Sequence, residues 1–277
     1  MNELPETTRH IPKNPNSGSL FDRVKKQLLP EKRTLIFIHI PKTAGTTLVR
    51  RIKLNFKNNA LALPTDNLRS KIENIRDFPN DYEKYRFIHG HCPHGLGRLL
   101  ANDSKSITLL RDPVERVISS FYHIKRFSQH PLHHEVSKMN VVDFSQNQHW
   151  PQFYNSSTRL LGAEMGNFSL EEYLRFNKSI ADENSYARAE FAVNSEILVG
   201  IQEHFEESTL LFKRILNLKN IDMTGSEMIN RNRPRTNEFS EREIEKIRES
   251  QELDQRLYEV AKQRFVTLCD QAEIEVA

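Results

Sequence analysis

The sequence has few cysteines and no long apolar run. Two cysteines among 277 residues, Cys92 and Cys269, are too few for a disulfide framework or a four-cysteine zinc site, and they fit a reducing compartment. No run approaches the roughly 18 apolar residues of a membrane span. The first residues also lack the basic start and apolar stretch of a signal peptide. These absences favour a cytoplasmic protein without an integral membrane segment.

Charge of one sign is not in large excess either. Forty Lys plus Arg stand against 37 Asp plus Glu, so the formal net charge is only +3. A general polyanion-binding protein normally carries a larger basic excess. The composition therefore predicts no nucleic-acid partner, and any anion site must be local. With 37% hydrophobic and 28% charged residues, the chain is typical of a globular protein.

Strand-like and helix-like patterns alternate along the chain. Residues 34–40 form a near-continuous β-branched and aromatic run, which is typical of a buried parallel strand. Pro41 ends that run, and a helical pattern follows over 44–56. Such alternation predicts an α/β fold, a P-loop-like parallel sheet flanked by helices. Further strands are expected at 84–88, 106–110 and 197–200, and further helices at 113–127 and 204–217.

The two ends of the chain differ in character. Residues 1–30 are polar and interrupted by prolines, so a flexible tail is expected ahead of one domain over 31–277. The C-terminal part is mostly helical, with capping boxes at Ser169–Glu172 and Ser240–Glu243. The second capping box is expected to open one long helix that reaches Phe265.

The first strand leads into a loop that suits an anion. Backbone N–H groups at a strand-to-helix turn point at a common centre, and the helix dipole favours negative charge. Gly45 permits close approach, and Thr46 and Thr47 add hydroxyl donors. From Lys32 to Lys57 there are seven basic residues and no acidic one. The alternative is an ordinary turn with a surface lysine, whereas a Walker-type ATPase is disfavoured because no Gly-Lys pair occurs.

A second turn with similar chemistry follows the strand at 106–110. Arg111 can hold a phosphate with paired donors, Asp112 is a suitable N-cap, and Pro113 suits the first helical position. Ser119 lies two helical turns further along. The alternative is a helix-capping turn in which Arg111 makes only a surface ion pair.

Histidines cluster at the end of the strand predicted at 84–88. His89, His91 and His94 follow it closely, and an imidazole with a pKa near 6.5 suits general-base work at neutral pH. Two alternatives remain open. The segment with Cys92 has metal-ligand residue types but lacks a matching second half, and His89 can be a hydrogen-bonded structural residue. His39 is interpreted as a core residue of the first strand.

Two of these segments resemble carbohydrate sulfotransferases, especially those modifying heparan sulfate at 2-O and 6-O positions. Residues 39–47 resemble that family's 5′-phosphosulfate loop, and residues 107–119 resemble its 3′-phosphate element. The resemblance implies 3′-phosphoadenosine 5′-phosphosulfate (PAPS) as co-substrate and no metal. It also implies Lys42 at the leaving oxygen and a histidine base, with His91 preferred to His89. The implied PAPS-binding residues are Lys42, Thr43, Ala44, Gly45, Thr46, Thr47, Arg111 and Ser119.

The resemblance extends to the acceptor side. Asn155, Thr158 and Arg159 match an Asn-x-x-Thr-Arg pattern of the family, which implies substrate binding by Asn155 and Arg159. Trp150 is a candidate for stacking on a sugar ring, although aromatic residues often lie in a core. The Arg231–Arg235 loop is expected either to close over the nucleotide, to meet an anionic acceptor, or to be plainly solvated.

The predicted function is PAPS-dependent sulfation of a carbohydrate hydroxyl. The alternative is a non-catalytic binding module for a nucleotide or an anionic glycan, which would need no base. A nucleotide kinase is disfavoured because Gly-Lys and a clear acidic metal ligand after a strand are missing. Eukaryotic relatives carry a membrane anchor and work in the Golgi lumen, so an excised lumenal domain is the alternative to a cytoplasmic enzyme.

Overall fold

A computed structural model of the chain describes residues 33–56, 58–163, 166, 168–221 and 236–276. The predicted tail over 1–30 and the Arg231–Arg235 loop lie outside the described residues. The division into tail and domain therefore stays a prediction. Within the described ranges, no helix combines the length and the apolar character that crossing a membrane requires.

The described residues contain a five-stranded sheet in which every pairing is parallel. The strand order is β2-β3-β1-β4-β5, so β1 lies between β3 and β4. Every residue of β1 and β5 is buried, and most are apolar, as expected for parallel strands covered on both faces. The strands are β1 Thr34–Ile38, β2 Ala60–Leu63, β3 Phe87–Gly90, β4 Ser104–Leu110 and β5 Ile197–Ile201.

Helices flank this sheet, which confirms the predicted α/β class. The α-helices of the described part are α1 Gly45–Lys53, α2 Leu68–Asp77, α3 Pro113–Arg126, α4 His133–Val136, α5 Val141–Ser145, α6 Ser156–Leu161, α7 Leu170–Lys178, α8 Glu183–Ser195, α9 Phe205–Ile215, α10 Glu241–Ser250 and α11 Glu252–Gln271. Both predicted capping boxes are present, at the start of α7 and at the start of α10.

Helices α1 and α9 lie against the same face of the sheet. A Cβ on Gly45 of α1 would meet Phe37 of β1, and a Cβ on Gly200 of β5 would meet Ser208 and Phe212 of α9. Arg51 of α1 also lies over the ring of Phe205 in α9. Because strand side chains alternate, His39, two positions after Phe37, lies on the side of the sheet that these helices cover.

A second apolar cluster lies beside the main core. It joins α3, α4, α5 and α10 through buried residues such as Val117, Phe121, Phe144 and Ile247. Trp150 is half-buried against this cluster, with its ring centroid 6.0 Å from that of Phe144. This helical cluster supports α3, the helix that follows β4.

Strand β2 and the C-terminal helix differ from the sequence-based prediction, and helix α2 was not predicted either. Strand β2 was not predicted, because it has only four residues, Ala-Leu-Ala-Leu, and pairs only with β3 at the edge of the sheet. The prediction of one long C-terminal helix is wrong, since the helix breaks at Gln251 into α10 and α11. The break has a cause: the buried Gln251 side chain accepts from Arg116 at 2.9 Å and from the Asn155 backbone at 3.1 Å.

Candidate active site

The carboxyl ends of β3, β1 and β4 lie side by side. Each end carries one of the segments singled out by sequence: His91 after β3, the loop 41–47 after β1, and Arg111 after β4. The chain leaves β1 toward β2 on one side, and it leaves β4 toward β5 on the other. Ligands of open parallel sheets bind at such a switch point. The fold therefore brings the three predicted elements to one edge.

The loop 41–47 has an unusual backbone. Lys42 (φ 69°) and Ala44 (φ 61°) both occupy the left-handed region, with Thr43 between them in an ordinary conformation. The Thr43 hydroxyl donates to the Ile40 carbonyl at 2.9 Å and is fully buried, so it braces the loop from inside. Alternating conformations of this kind gather backbone N–H groups into an anion-binding concavity. Left-handed non-glycine residues cost about 1–3 kcal/mol each and are concentrated at ligand sites.

Gly45 is required for a reason that the sequence did not indicate. A Cβ at this position would lie 2.2 Å from Cδ2 and 2.4 Å from Nε2 of His39. The glycine therefore makes room for the His39 ring rather than for the anion alone. His39 follows β1, is half-buried, and stacks on Phe37 with a centroid separation of 5.4 Å. Sequence reasoning missed a site role for His39, although its place just before the loop was visible.

His91 is oriented by His39 in two ways. Nδ1 of His91 donates to the His39 carbonyl at 2.5 Å, and the two rings stack with centroids 4.6 Å apart. A carbonyl oxygen can only accept, so the proton of neutral His91 lies on Nδ1 and the lone pair on Nε2. Burial lowers the pKa of His91 below its usual 6.5, opposed by the hydrogen bond to His39. The ring is thus a neutral proton acceptor at neutral pH.

His89 lies inside the sheet instead of beyond it. It belongs to β3 and pairs in register with Phe37 of β1 and Ala62 of β2. Its ring packs against Phe87 at 5.2 Å. Burial, followed by the positive charge of Lys53 on α1, lowers its pKa to about 4. His39 is similar, since burial and then the neighbouring His91, His89 and Lys42 lower its pKa to about 3.

Arg111 connects the carboxyl end of β4 to the loop 41–47. Its Nη1 donates to the Lys42 carbonyl at 3.2 Å, and its Nη2 donates to Glu115 at 3.0 Å. Glu115 also accepts from the Thr236 hydroxyl. Asp112 caps α3 by accepting from the Glu115 backbone N–H at 2.9 Å, as predicted for this turn.

Ser119 is half-buried on the loop-facing side of α3. It lies one turn before His123, so the two side chains share a helix face. Burial lowers the pKa of His123, and the next cause is the positive charge of Lys42. This influence of the Lys42 charge indicates that this face of α3 is turned toward the loop. Lys42 and Thr47 are half-buried there, and Thr46 is exposed.

Some of the basic and metal-ligand-type residues singled out by sequence are paired with, or buried among, residues outside the loop 41–47. Arg51 is 3% exposed and binds both carboxylate oxygens of Glu206 at 2.7 and 2.8 Å, so part of the basic run serves packing. Nε2 of His94 lies 2.7 Å from Glu196. Burial raises the pKa of the Cys92 thiol to about 12. Among the described residues, no three His, Cys, Asp or Glu side chains are grouped as metal ligands.

The three acceptor-side candidates are not on one surface. Asn155 is 3% exposed, and its Oδ1 accepts from the Asp254 backbone N–H at 2.9 Å, so it joins α6 to α11. Trp150 packs in the second apolar cluster. Arg159 lines a cleft beside α6, stacked over the ring of Phe176 at 4.3 Å. Substrate binding by these residues stays a prediction.

Comparison with known proteins bears on the class of protein. The sequence profile of the galactose-3-O-sulfotransferase family matches residues 9–272, nearly the whole chain. A comparison with curated proteins gives no match. The predicted class, a carbohydrate sulfotransferase acting on a glycan, is confirmed at that level, while the likeness to the heparan sulfate enzymes stays a prediction. The chain belongs to the galactose-3-O-sulfotransferase family.

Proposed function

We propose that this enzyme transfers a sulfuryl group from PAPS to a carbohydrate hydroxyl, with His91 as the general base. One observation carries the proposal: His91, the loop 41–47 and Arg111 occupy adjacent carboxyl ends of β3, β1 and β4. A non-catalytic binding module would need the loop and Arg111, but it would not need an oriented neutral imidazole beside them. The orientation of His91 by the His39 carbonyl therefore favours the enzyme over the binding module.

The residues present fit the 5′-phosphosulfate and the 3′-phosphate of PAPS. Gly45 and Thr46 open α1, where the first backbone N–H groups have no partner within the helix. Together with the Lys42 ammonium, they would hold the 5′-phosphosulfate. Arg111 and Ser119, from the start of α3 and its loop-facing side, would hold the 3′-phosphate. The left-handed Lys42 and Ala44 support a preformed cradle for the first of these groups.

In the proposed transfer, the acceptor hydroxyl oxygen forms the new bond to sulfur. The bond between sulfur and the bridging phosphate oxygen breaks in line with it. Nε2 of His91 takes the hydroxyl proton. The electron pair of the broken bond stays on the bridging oxygen, which leaves on 3′-phosphoadenosine 5′-phosphate. The Lys42 ammonium offsets the negative charge that develops there.

For the acceptor, the family name directs the first choice. Galactose is the sugar in that name, and its 3-hydroxyl is therefore the first hydroxyl to test. The motif likeness to heparan sulfate 2-O and 6-O enzymes makes a uronate-containing glycan the second. Either acceptor carries a neutral hydroxyl, the group from which the base removes a proton.

The direct test is a calorimetric titration of the purified protein with 3′-phosphoadenosine 5′-phosphate and, separately, with ATP. We expect a clear preference for the bisphosphate, and Lys42→Ala should still bind it while losing sulfuryl transfer to a galactoside. A preference for ATP would overturn the proposal. Tight binding of the bisphosphate without any transfer to galactosides or uronate-containing glycans would favour the binding module.

A further inference from the structure

The imidazole of His39 is a polar group of the site that the proposed transfer does not yet employ. Only the backbone carbonyl of this residue has a role there, as the acceptor of the hydrogen bond from Nδ1 of His91. The His39 ring is half-buried. Among the described residues, no group hydrogen-bonds to either of its nitrogens, and neither nitrogen is enclosed by the protein. A neutral imidazole carries one N–H, so this ring keeps a donor that a bound ligand can use.

The His39 ring lies between the base and the loop 41–47. It stacks on the Phe37 ring and on the His91 ring, with centroids 5.4 and 4.6 Å away. Its edge, which carries Cδ2 and Nε2, lies against Gly45 at the start of α1, because a Cβ on that glycine would overlap both atoms. One ring therefore contacts both the base and the first residue of the helix that would hold the 5′-phosphosulfate.

This position corresponds to the place of the transferred group. In the proposed transfer, the acceptor oxygen lies beside Nε2 of His91, and the bridging oxygen lies at the loop 41–47. Sulfur is in line between these two oxygens. A side chain that spans the distance from His91 to Gly45 is therefore next to the oxygens that sulfur carries with it.

The charge state of His39 suits a donor that is not a second cation. Burial, followed by the neighbouring His91, His89 and Lys42, lowers its pKa to about 3, so the ring is neutral at neutral pH. The influence of Lys42 also indicates that its ammonium acts close to this ring. Lys42 then supplies the positive charge at the leaving oxygen, whereas His39 supplies a neutral N–H.

We propose that the Nε2–H of His39 donates a hydrogen bond to a non-bridging oxygen of the sulfuryl group of PAPS. The inference rests on the proposed function and adds a residue that binds the group being transferred. Preformed donors that point at the oxygens where charge gathers in the transition state lower its energy. No bond of His39 forms or breaks in this step, because its N–H stays in place while His91 takes the hydroxyl proton.

The test compares two ligands that differ by the sulfuryl group alone, PAPS and 3′-phosphoadenosine 5′-phosphate. Each is titrated calorimetrically into the full-length protein without an acceptor, so that binding is measured and no transfer takes place. His39→Phe keeps an aromatic ring and removes the N–H, whereas His39→Gln keeps a side-chain N–H and removes the ring. Both variants retain the backbone carbonyl that orients His91.

We expect His39→Phe to bind PAPS about 10–100-fold more weakly, the usual effect of losing a hydrogen bond to a charged group, while its affinity for the bisphosphate changes little. His39→Gln should bind PAPS more tightly than His39→Phe does, because the amide replaces the lost donor. Exposed His149→Phe is the matched control and should change neither affinity. Unchanged PAPS affinity in His39→Phe, or an equal loss for both ligands, would overturn the inference.

A second measurement needs no variant with an altered core. In wild-type protein labelled with ¹⁵N-histidine, PAPS should shift the Nε2 resonance of His39 and slow the exchange of its proton with water, and the bisphosphate should do neither. The same response to both ligands, or none to PAPS, would overturn the inference. If the wild type binds neither ligand, the proposed function fails and this inference fails with it. If it binds both with a ratio that His39 does not alter, this inference alone fails.

Discussion

At the residue scale, the base is selected by a backbone carbonyl. Of His39, His89 and His91, only the His91 ring is both beyond a strand end and hydrogen-bonded to the His39 carbonyl through Nδ1. His89 lies within β3, where burial and then the positive charge of Lys53 lower its pKa. Because Nε2 of His91 is the nitrogen that can accept a proton, and His89 lies within β3 between β1 and β2, the geometry favours the order His91 before His89 that the resemblance implies.

This order gives a kinetic prediction. His91→Ala should lower kcat about 10²–10⁴-fold, the usual contribution of a general base, with little change in bisphosphate affinity. His89→Ala should lower kcat less and chiefly reduce stability, and exposed His149→Ala is the control. The wild-type kcat/KM should rise with pH, with a midpoint below the usual histidine value of 6.5, because burial lowers the pKa of His91 and only its neutral form accepts a proton. A dead His89→Ala with an active His91→Ala would reverse the assignment.

Gly45 offers a prediction that separates packing from anion binding. In Gly45→Ala the new methyl would overlap the His39 ring, which cannot retreat freely because it is stacked between Phe37 and His91. We expect a loss of about 1–3 kcal/mol in unfolding free energy, typical of overpacking, and a lower kcat through the displaced His91. Urea unfolding and steady-state kinetics measure the two effects. An unchanged kcat would show that His39 does not position the base.

At the element scale, α3 presents one face to the loop and the other to the interior. Ser119 lies on the loop side, whereas the buried hydroxyl of the adjacent Ser120 donates to the Arg116 carbonyl at 3.0 Å. Ser119→Ala should therefore weaken bisphosphate binding about 10-fold and Arg111→Ala about 10–100-fold. Ser120→Ala should leave the affinity unchanged, which makes it a matched control. Calorimetry with the bisphosphate measures all three, and equal affinities for the two serine variants would contradict the assignment.

Elements with a strong local signal could be predicted from the sequence. Strands β1, β4 and β5, helix α3 after Pro113, and both capping boxes follow from β-branched runs and cap residues. Strand β2 could not be predicted, because its pairing with β3 is long-range and its four residues have little strand propensity. The break at Gln251 could not be predicted either, since its cause is a tertiary contact with Arg116.

The same distinction holds for the site. The loop 41–47 and Arg111 could be predicted, because strand-to-helix turns after buried strands share one edge of a parallel sheet. The role of His39 could not, since it depends on a carbonyl that faces a histidine 52 positions away. The basic run from Lys32 to Lys57 also overstated the local positive charge, because Arg51 is neutralised by Glu206 on α9. Only the packing of α1 against α9 reveals that pair.

At the scale of the whole molecule, one buried polar network connects the site to the C-terminal helix. Arg116 on α3 is fully buried and lies 3.2 Å from Asp254 on α11, and its Nη2 also donates to Gln251 at 2.9 Å. Asp254 in turn accepts from the backbone N–H groups of Ser157 and Thr158 at the start of α6. The helix that carries Ser119 is thus fixed to α6 and α11 through two side chains.

Breaking this network should cost more than any surface change. Asp254→Asn leaves Arg116 as a buried cation without a carboxylate, so we expect unfolding free energy to fall by about 3–5 kcal/mol. Exposed Glu245→Gln, which removes the surface partner of Arg248, should change it by less than about 1 kcal/mol. Urea unfolding, followed by the fluorescence of Trp150, measures both changes in unfolding free energy. Trp150 is the only tryptophan and packs against the second apolar cluster.

The same variants test whether the network positions α3. Arg116→Met should be milder than Asp254→Asn, because Asp254 keeps its two backbone donors at α6 while only the cation is lost. In both variants, bisphosphate affinity should fall several-fold under conditions where the protein remains folded, since Arg111 and Ser119 lie on or beside the helix that Arg116 holds. If stability falls while bisphosphate affinity stays unchanged, the network supports the fold alone. If neither falls, the buried Arg116–Asp254 pair does not contribute as the structure indicates.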